Sequence, residues 1–157
     1  MPQLKIIFPE EFNFFRRRKN KAREIIYPLE KKTSIKHIIE SLGVPHTEIG
    51  KIVVEDKEID FNYIPANSQK ITVLPVIPPF DVTRPSVLRP EPLQKIRFVV
   101  DVNVGKLALL LRMLGLDAEY SPKFLDKDIL SFCKKEKRIV LSKDTGLLKC
   151  RQIIFGR

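Results

Sequence analysis

Cysteine is scarce in this 157-residue chain, with Cys133 and Cys150 the only two. Neither sits in a C-x-x-C pair, and a structural zinc site wants four ligands, so no zinc module can be built from them. A disulfide is not expected in a reducing compartment, and Cys133 falls in a helical pattern that suits a small buried thiol. Histidine is equally rare. His37 and His46 have no plausible metal or triad partner in the sequence and read as structural. Glycine occurs six times and forms no phosphate loop of the GxGxxG or GxxxxGK type. No apolar run approaches the roughly 20 residues that a membrane span needs. Met1 to Lys5 also lack the apolar region and cleavage site of a secretory signal. The sequence is therefore expected to be cytoplasmic, without a membrane partner.

Apolar residues make up 43% of the chain, enough for a buried core, and charged residues make up 31%. The net charge of +10 favours polyanionic partners, because Lys and Arg neutralise phosphates and release counterions. The excess is uneven. Residues 94–157 hold 14 Lys and Arg against 7 Asp and Glu, whereas residues 1–93 hold 15 against 12.

Proline is the abundant special residue. Pro75, Pro78, Pro79, Pro85, Pro90 and Pro92 make a stretch poor in amide donors that favours extended geometry. A Pro-rich linker is expected over 77–93, between a domain at 1–76 and another at 94–157. In the first, Leu4 to Phe8 and Glu24 to Tyr27 read as strands. Between them Phe12 to Phe15 and the basic run Arg16 to Lys19 read as a turn with a basic tip. Thr33 or Ser34 can cap a helix in which Ile35, Ile38, Ile39 and Leu42 keep helical spacing before Gly43. Lys51 to Val54 and Lys70 to Leu74 are later strands. A hairpin, a helix and two more strands suit a β-grasp, or ubiquitin-like, fold.

The second domain alternates strand and helix, which predicts an α/β fold with a parallel sheet. Ile96 to Val100 is a continuous apolar strand of the buried parallel type. Asn103 can cap the next helix, whose apolar face would be Leu107, Leu110, Leu111 and Leu114, with Gly115 at its end. A short strand follows from Leu116 to Tyr120. Asp126 opens a helix that turns Ile129, Leu130 and Cys133 inward. Arg138 to Ser142 is another strand, and Gln152 to Phe155 a candidate last one.

This topology sorts the acidic residues. In a parallel sheet every strand ends on one edge and every crossover helix begins there, and ligands bind at that edge. Asp101 follows one strand, Asp144 follows another, and Asp126 and Asp128 lie at a helix start. Asp117, Glu119 and Glu136 belong away from it. Two carboxylates ~4 Å apart repel by about 1 kcal/mol in bulk water and about 4 kcal/mol at an effective dielectric of 20. A divalent cation removes that repulsion, and Mg²⁺ or Mn²⁺ favours oxygen ligands. Each aspartate also has a plainer reading: Asp126 as a helix cap, Asp144 as a turn former, Asp101 as a loop residue, Asp128 as a dipole partner. Their coincidence on one edge lifts Asp101, Asp126 and Asp144 to candidate catalytic and metal-binding residues. Lys106 and Lys143 are weaker candidates for holding an RNA backbone on that edge.

The second half resembles the Mut-seven C-terminal RNase family, a branch of the PIN-like nucleases. The resemblance rests on Phe98-Val99-Val100-Asp101, on Gly105-Lys106-Leu107-Ala108, on Leu111-Arg112-Met113-Leu114-Gly115-Leu116-Asp117, and on Arg138-Ile139-Val140-Leu141-Ser142-Lys143-Asp144. The first half is similar to the ubiquitin-like domain often fused ahead of it, through the run from Ile38 to Glu48 and through Asp60-Phe61. The resemblance implies a metal-dependent RNase using Mg²⁺ or Mn²⁺, with its acidic positions at Asp101, Asp126 and Asp144 and RNA as partner. It also implies a continuation past Gly156 into a four-cysteine zinc ribbon. This sequence stops at Arg157, without those cysteines and without an acidic residue after Asp144. The fold expected is thus an N-terminal β-grasp domain followed by a truncated PIN-like parallel-sheet domain. The alternative function is a non-catalytic RNA-binding or ribosome-associated protein with a degenerate nuclease fold. The β-grasp half would be a recognition or docking module, with a protein as its partner. Sulfur-carrier chemistry is set aside, because such carriers end in Gly-Gly and this half runs into prolines.

Overall fold

The computed structural model describes residues 2–17 and 21–157. The chain divides into two units, Met1–Phe80 and Asp81–Arg157.

The first unit holds a five-stranded sheet: β1 (Gln3–Ile7), β2 (Glu24–Pro28), β3 (Ile49–Val54), β4 (Lys57–Glu58) and β5 (Lys70–Pro75). Their order is β2-β1-β5-β3-β4. β1 pairs antiparallel with β2 and parallel with β5, so the first and last long strands lie side by side as a β-grasp requires. Helix α1 (Ile35–Ser41) starts where expected, with the Ser34 side chain accepting from the His37 amide. Its Ile35, Ile38 and Ile39 are buried, as are Leu4 and Ile6 of β1, Ile49 and Ile52 of β3 and Ile71 and Val73 of β5. Complete burial of each such side chain contributes about 1.5–3 kcal/mol. His46 is buried against Glu40, Nδ1 to Oε1 2.7 Å, the structural role expected of it.

The expected basic tip differs. Phe12 to Phe15 belongs to a short 3-10 helix (Glu10–Phe14) and the residue after it. Arg16 is not solvated: it is 3% exposed, lies over the Phe8 ring and donates to the Ala22 carbonyl. Burial lowers its pKa from the ordinary arginine value. Arg18 and Lys19 of that tip lie outside the described residues.

The Pro-rich stretch over 77–93 falls largely within the second unit. Leu88, Arg89 and Leu93 are buried, and Arg89 donates to the Ile154 carbonyl and stacks on Phe155. The segment is not the extended linker expected: the Ser86 and Arg89 amides and carbonyls bond to each other and the Leu93 amide donates to the Val82 carbonyl, so it folds back and presents its anchors inward.

The second unit is a three-stranded parallel sheet of β6 (Arg97–Val100), β7 (Asp117–Glu119) and β8 (Ile139–Leu141), in the order β7-β6-β8. Helices α2 (Gly105–Met113), α3 (Asp126–Glu136) and α4 (Thr145–Leu148) complete it. One apolar cluster joins Val99 and Val140 to Ile129 and Cys133 of α3 and to Leu147, Leu148 and Ile153. The other joins Val100 and Ala118 to Ala108 of α2. The sheet is therefore covered on both faces, as its uninterrupted apolar strands require. Gln152 to Phe155 forms no strand. Its place is taken by a parallel bridge between Val140 and Gly156, with the Arg157 amide donating to the Val140 carbonyl.

Helix α2 departs from its expected face. Ala108 is buried and Leu111 half-buried, but Leu107, Leu110 and Leu114 are exposed, Leu114 at 76%. The helix meets the sheet through its small residues. A Cβ on Gly105 would come within 2.6 Å of the Tyr120 ring, and Arg112 Nε donates to the Ala118 carbonyl. The large leucines are thereby turned outward. Gly115 ends the helix at φ +78°, with its amide bonded to the Arg112 carbonyl, as predicted.

Candidate functional site

Because β6, β7 and β8 are parallel, their carboxyl ends share one edge. Asp101 follows β6, Ser142 follows β8, and α3 begins on that edge at Asp126. The side chains settle there unequally.

Asp101 is 6% exposed and caps a short 3-10 helix over Val102–Val104. One carboxylate oxygen accepts from the Val102 amide at 2.6 Å and the other from the Ser142 hydroxyl at 2.6 Å. Ser142 is also buried, and its Oγ accepts in turn from the Asp144 amide at 2.9 Å. Asp144 is exposed and caps α4, with Oδ1 accepting from the Gly146 and Leu147 amides. Asn103 closes the arrangement. Its Nδ2 reaches Ser142 Oγ at 3.4 Å, and its Oδ1 accepts from the Lys143 amide. Two loops 41 residues apart are thus stitched together by one hydroxyl and one carboxamide.

Ser142 and Asn103 were not singled out as site residues by the sequence. Asn103 looked like a helix cap, but Val104 occupies that position on α2. The usable signal was position alone: Ser142 ends the strand directly before Lys143-Asp144.

Asp126 is the first residue of α3, exposed, and joined to neither Asp101 nor Asp144 by any bond among the described residues. The cap position is Leu125, whose amide donates to the Asp128 carboxylate at 2.9 Å, so Asp128 does the capping work expected of Asp126. Lys106 and Lys143 are exposed, and their ammonium groups form no ion pair among the described residues.

The acidic residues assigned to the far edge have a different fate. Asp117, Glu119 and Glu136 gather around Arg138, whose side chain is buried. Arg138 donates to Asp117 at 2.6 Å, to Glu136 at 2.7 Å and to the Phe98 carbonyl at 3.0 Å. The hydrogen bond from Arg138 holds the Asp117 carboxyl below its ordinary pKa. Burial works against the Arg138 charge, but the bonds to Asp117 and Glu136 outweigh it and raise its pKa. None of Asp101, Asp126 and Asp144 is matched by a cation in this way among the described residues.

Among the described residues, no group of three or more His, Cys, Asp or Glu side chains is placed to hold a metal ion. The three aspartates therefore share an edge without forming a closed cage: Asp101 is held by the Val102 amide and the Ser142 hydroxyl, and Asp144 by the amides of the helix it caps. Mg²⁺ keeps several waters and needs only one or two carboxylates, and Oδ2 of the exposed Asp144 accepts no bond among the described residues.

A family model described as Mut7-C ubiquitin matches residues 1–81, and one described as Mut7-C RNAse domain matches residues 96–156. No curated protein and no solved structure matches the chain.

Proposed function

Starting from the chain's membership of the Mut7-C family, with its ubiquitin domain over 1–81 and its RNAse domain over 96–156, we propose that the protein hydrolyses RNA phosphodiester bonds at the carboxyl edge of the second sheet. The observation that supports this most is the Asp101–Ser142–Asp144 chain. It draws two carboxylate-bearing loops together on the ligand-binding edge of a parallel sheet, and no arginine or lysine among the described residues neutralises them.

Asp101 and Asp144 would hold a Mg²⁺ or Mn²⁺ ion, with Asp126 as the third carboxylate on the edge. Such an ion supplies an activated water and stabilises charge growing on a phosphate. The protein's own groups have separate tasks. Ser142 and the Val102 amide fix both Asp101 oxygens, so that carboxylate enters the reaction already oriented. Asp144 is held by the turn it caps, which leaves one oxygen facing solvent. Lys106 and Lys143 would neutralise the RNA backbone. Asp126, exposed at the start of α3, would help position the attacking water at the edge.

A second reading, RNA binding without cleavage, draws on the absence of a three-carboxylate group among the described residues. One experiment separates the two. The full chain is incubated with a mixed RNA pool in Mn²⁺ or Mg²⁺, beside Asp101→Asn and Asp144→Asn. Metal-dependent fragments made by the wild type and lost in both variants are expected. Identical fragment patterns in all three would remove the enzymatic reading, and RNA retention without cleavage would leave the binding one.

A further inference from the structure

The opposite edge of the second sheet carries a different feature. A cleft of about 460 Å³ opens beside the start of β6 and the end of α3. Lys95, Arg97, Lys134, Lys135 and Lys137 line it, with Glu136 as the one acidic side chain among the described residues of its wall. Glu136 is already shared by two arginines, Arg97 at 3.5 Å and Arg138 at 2.7 Å. Lys137 pairs with Glu91. Lys95, Lys134 and Lys135 are exposed and have no acidic partner among the described residues. Arg97 spends its terminal nitrogens on Glu136, yet its Nε is buried without an acceptor among the described residues.

Helix electrostatics explain part of this. Lysines in the last turn complement the negative end of the α3 dipole. That accounts for Lys134, Lys135 and Lys137. It does not account for Lys95 and Arg97, which arrive from a separate segment and close the other wall of the same cleft. Three lysines without an acidic partner among the described residues, beside Arg97 and Lys137, which each share a carboxylate, give this concavity a net positive field that its walls focus.

We propose that this cleft binds phosphates of the RNA strand whose cleavage is assigned above to the carboxyl edge, and so serves as an exosite. The inference rests on that reading for the identity of the ligand, and on the cleft itself for the site. The two edges are separated by the length of α3, eleven residues and so about 16 Å. A single strand must therefore run around the unit to touch both. Short RNA reaches one edge at a time, and longer RNA gains by engaging both.

The test measures binding in EDTA, where no metal-dependent cleavage occurs. Labelled single-stranded RNA of about 20 nucleotides and of about 4 nucleotides is titrated with the full chain by fluorescence anisotropy across a range of salt. The variant is Lys95→Gln/Lys134→Gln/Lys135→Gln. Its control, Lys31→Gln/Lys57→Gln/Lys70→Gln, removes the same charge from exposed positions of the first unit. For the long RNA the cleft variant is expected to lose on the order of tenfold in affinity. Its salt slope should flatten by about 2, at roughly 0.7 for each phosphate no longer neutralised. The control should change little. Equal losses in both variants would mean net charge alone is at work and would overturn the exosite. So would no loss in either. Tripolyphosphate that shields the cleft lysines from amine modification, with long-RNA affinity unchanged in the cleft variant, would reassign the cleft to a free polyphosphate and also overturn it. Asp101→Asn separates this proposal from the cleavage reading: it should abolish fragments and leave the salt slope intact.

Discussion

Replacing Ser142 by alanine removes one hydroxyl and tests the centre of the site. In the native protein that hydroxyl donates to the Asp101 carboxylate at 2.6 Å, and Ser142 and Asp101 are 7% and 6% exposed. Little water can replace the lost donor. The same oxygen also accepts from the Asp144 amide and, at 3.4 Å, from Asn103, but these are neutral bonds on residues that are themselves exposed and add less to the loss. Only the charge-assisted bond therefore counts in full, at about 2 kcal/mol. In a unit of this size each kcal/mol moves the melting temperature by roughly 4–8 °C, so Ser142→Ala should lower the second unit's transition by about 8–16 °C. Scanning calorimetry of the full chain reads this directly. A double-mutant cycle with Asp101→Ala isolates the pair, and a coupling of about 1.5–2 kcal/mol is expected. A variant that melts within about 2 °C of wild type, or a coupling near zero, would refute the reasoning. It would show that Asp101 is reached by solvent and is not held for a purpose by its neighbour.

Other outcomes follow from other parts of the unit. Arg138→Met should cost about 2–3 kcal/mol, less than a fully buried network because Asp117 and Glu136 are partly solvated; urea unfolding checks it, and a change below about 0.5 kcal/mol would deny Arg138 its organising role. Asp117 has a depressed folded pKa, so its contribution is fully present above the unfolded carboxylate value of about 3.9 and is lost as pH falls through the folded one. Asp117→Asn should accordingly flatten the loss of stability below about pH 4, measured as melting temperature against pH. Cys133 is buried, which pushes its thiol up to about 12. It should resist thiol reagents near pH 8 until the protein unfolds, and labelling of Cys133 in the folded chain at the rate of a free thiol would contradict its burial. Gly105→Ala would press a methyl into the Tyr120 ring and should cost about 1–3 kcal/mol, whereas Gly115→Ala meets no neighbour and pays only about 1–2 kcal/mol for its left-handed backbone.

The order of strands and helices was legible because it is written in local pattern. Uninterrupted apolar runs such as Phe98 to Val100 are best buried in a two-sided sheet, and a parallel sheet then fixes which loops share an edge. That is how Asp101 and Asp144 could be paired from sequence. The stitch between them was not legible. Ser142 meets Asp101 only because β6 and β8 lie side by side, a contact across 41 residues with no local trace. The face of α2 misled for a related reason. Its leucines have ideal helical spacing, but Gly105 and Ala108 allow a closer approach, and the helix settles on its small side. Arg16 misled through composition: a run of cations reads as solvated, although this one finds an aromatic ring and a carbonyl at low exposure.

The way Arg89 clasps Ile154 and Phe155 has a practical consequence for anyone cloning the second unit. The family match begins at residue 96, and an expression boundary drawn there would discard Leu88, Arg89 and Leu93 along with their prolines. The far tail would lose its clamp, and the apolar surface beneath it would be left bare to solvent. A fragment begun at Asp81 keeps both ends tied and is the one expected to stay folded by itself.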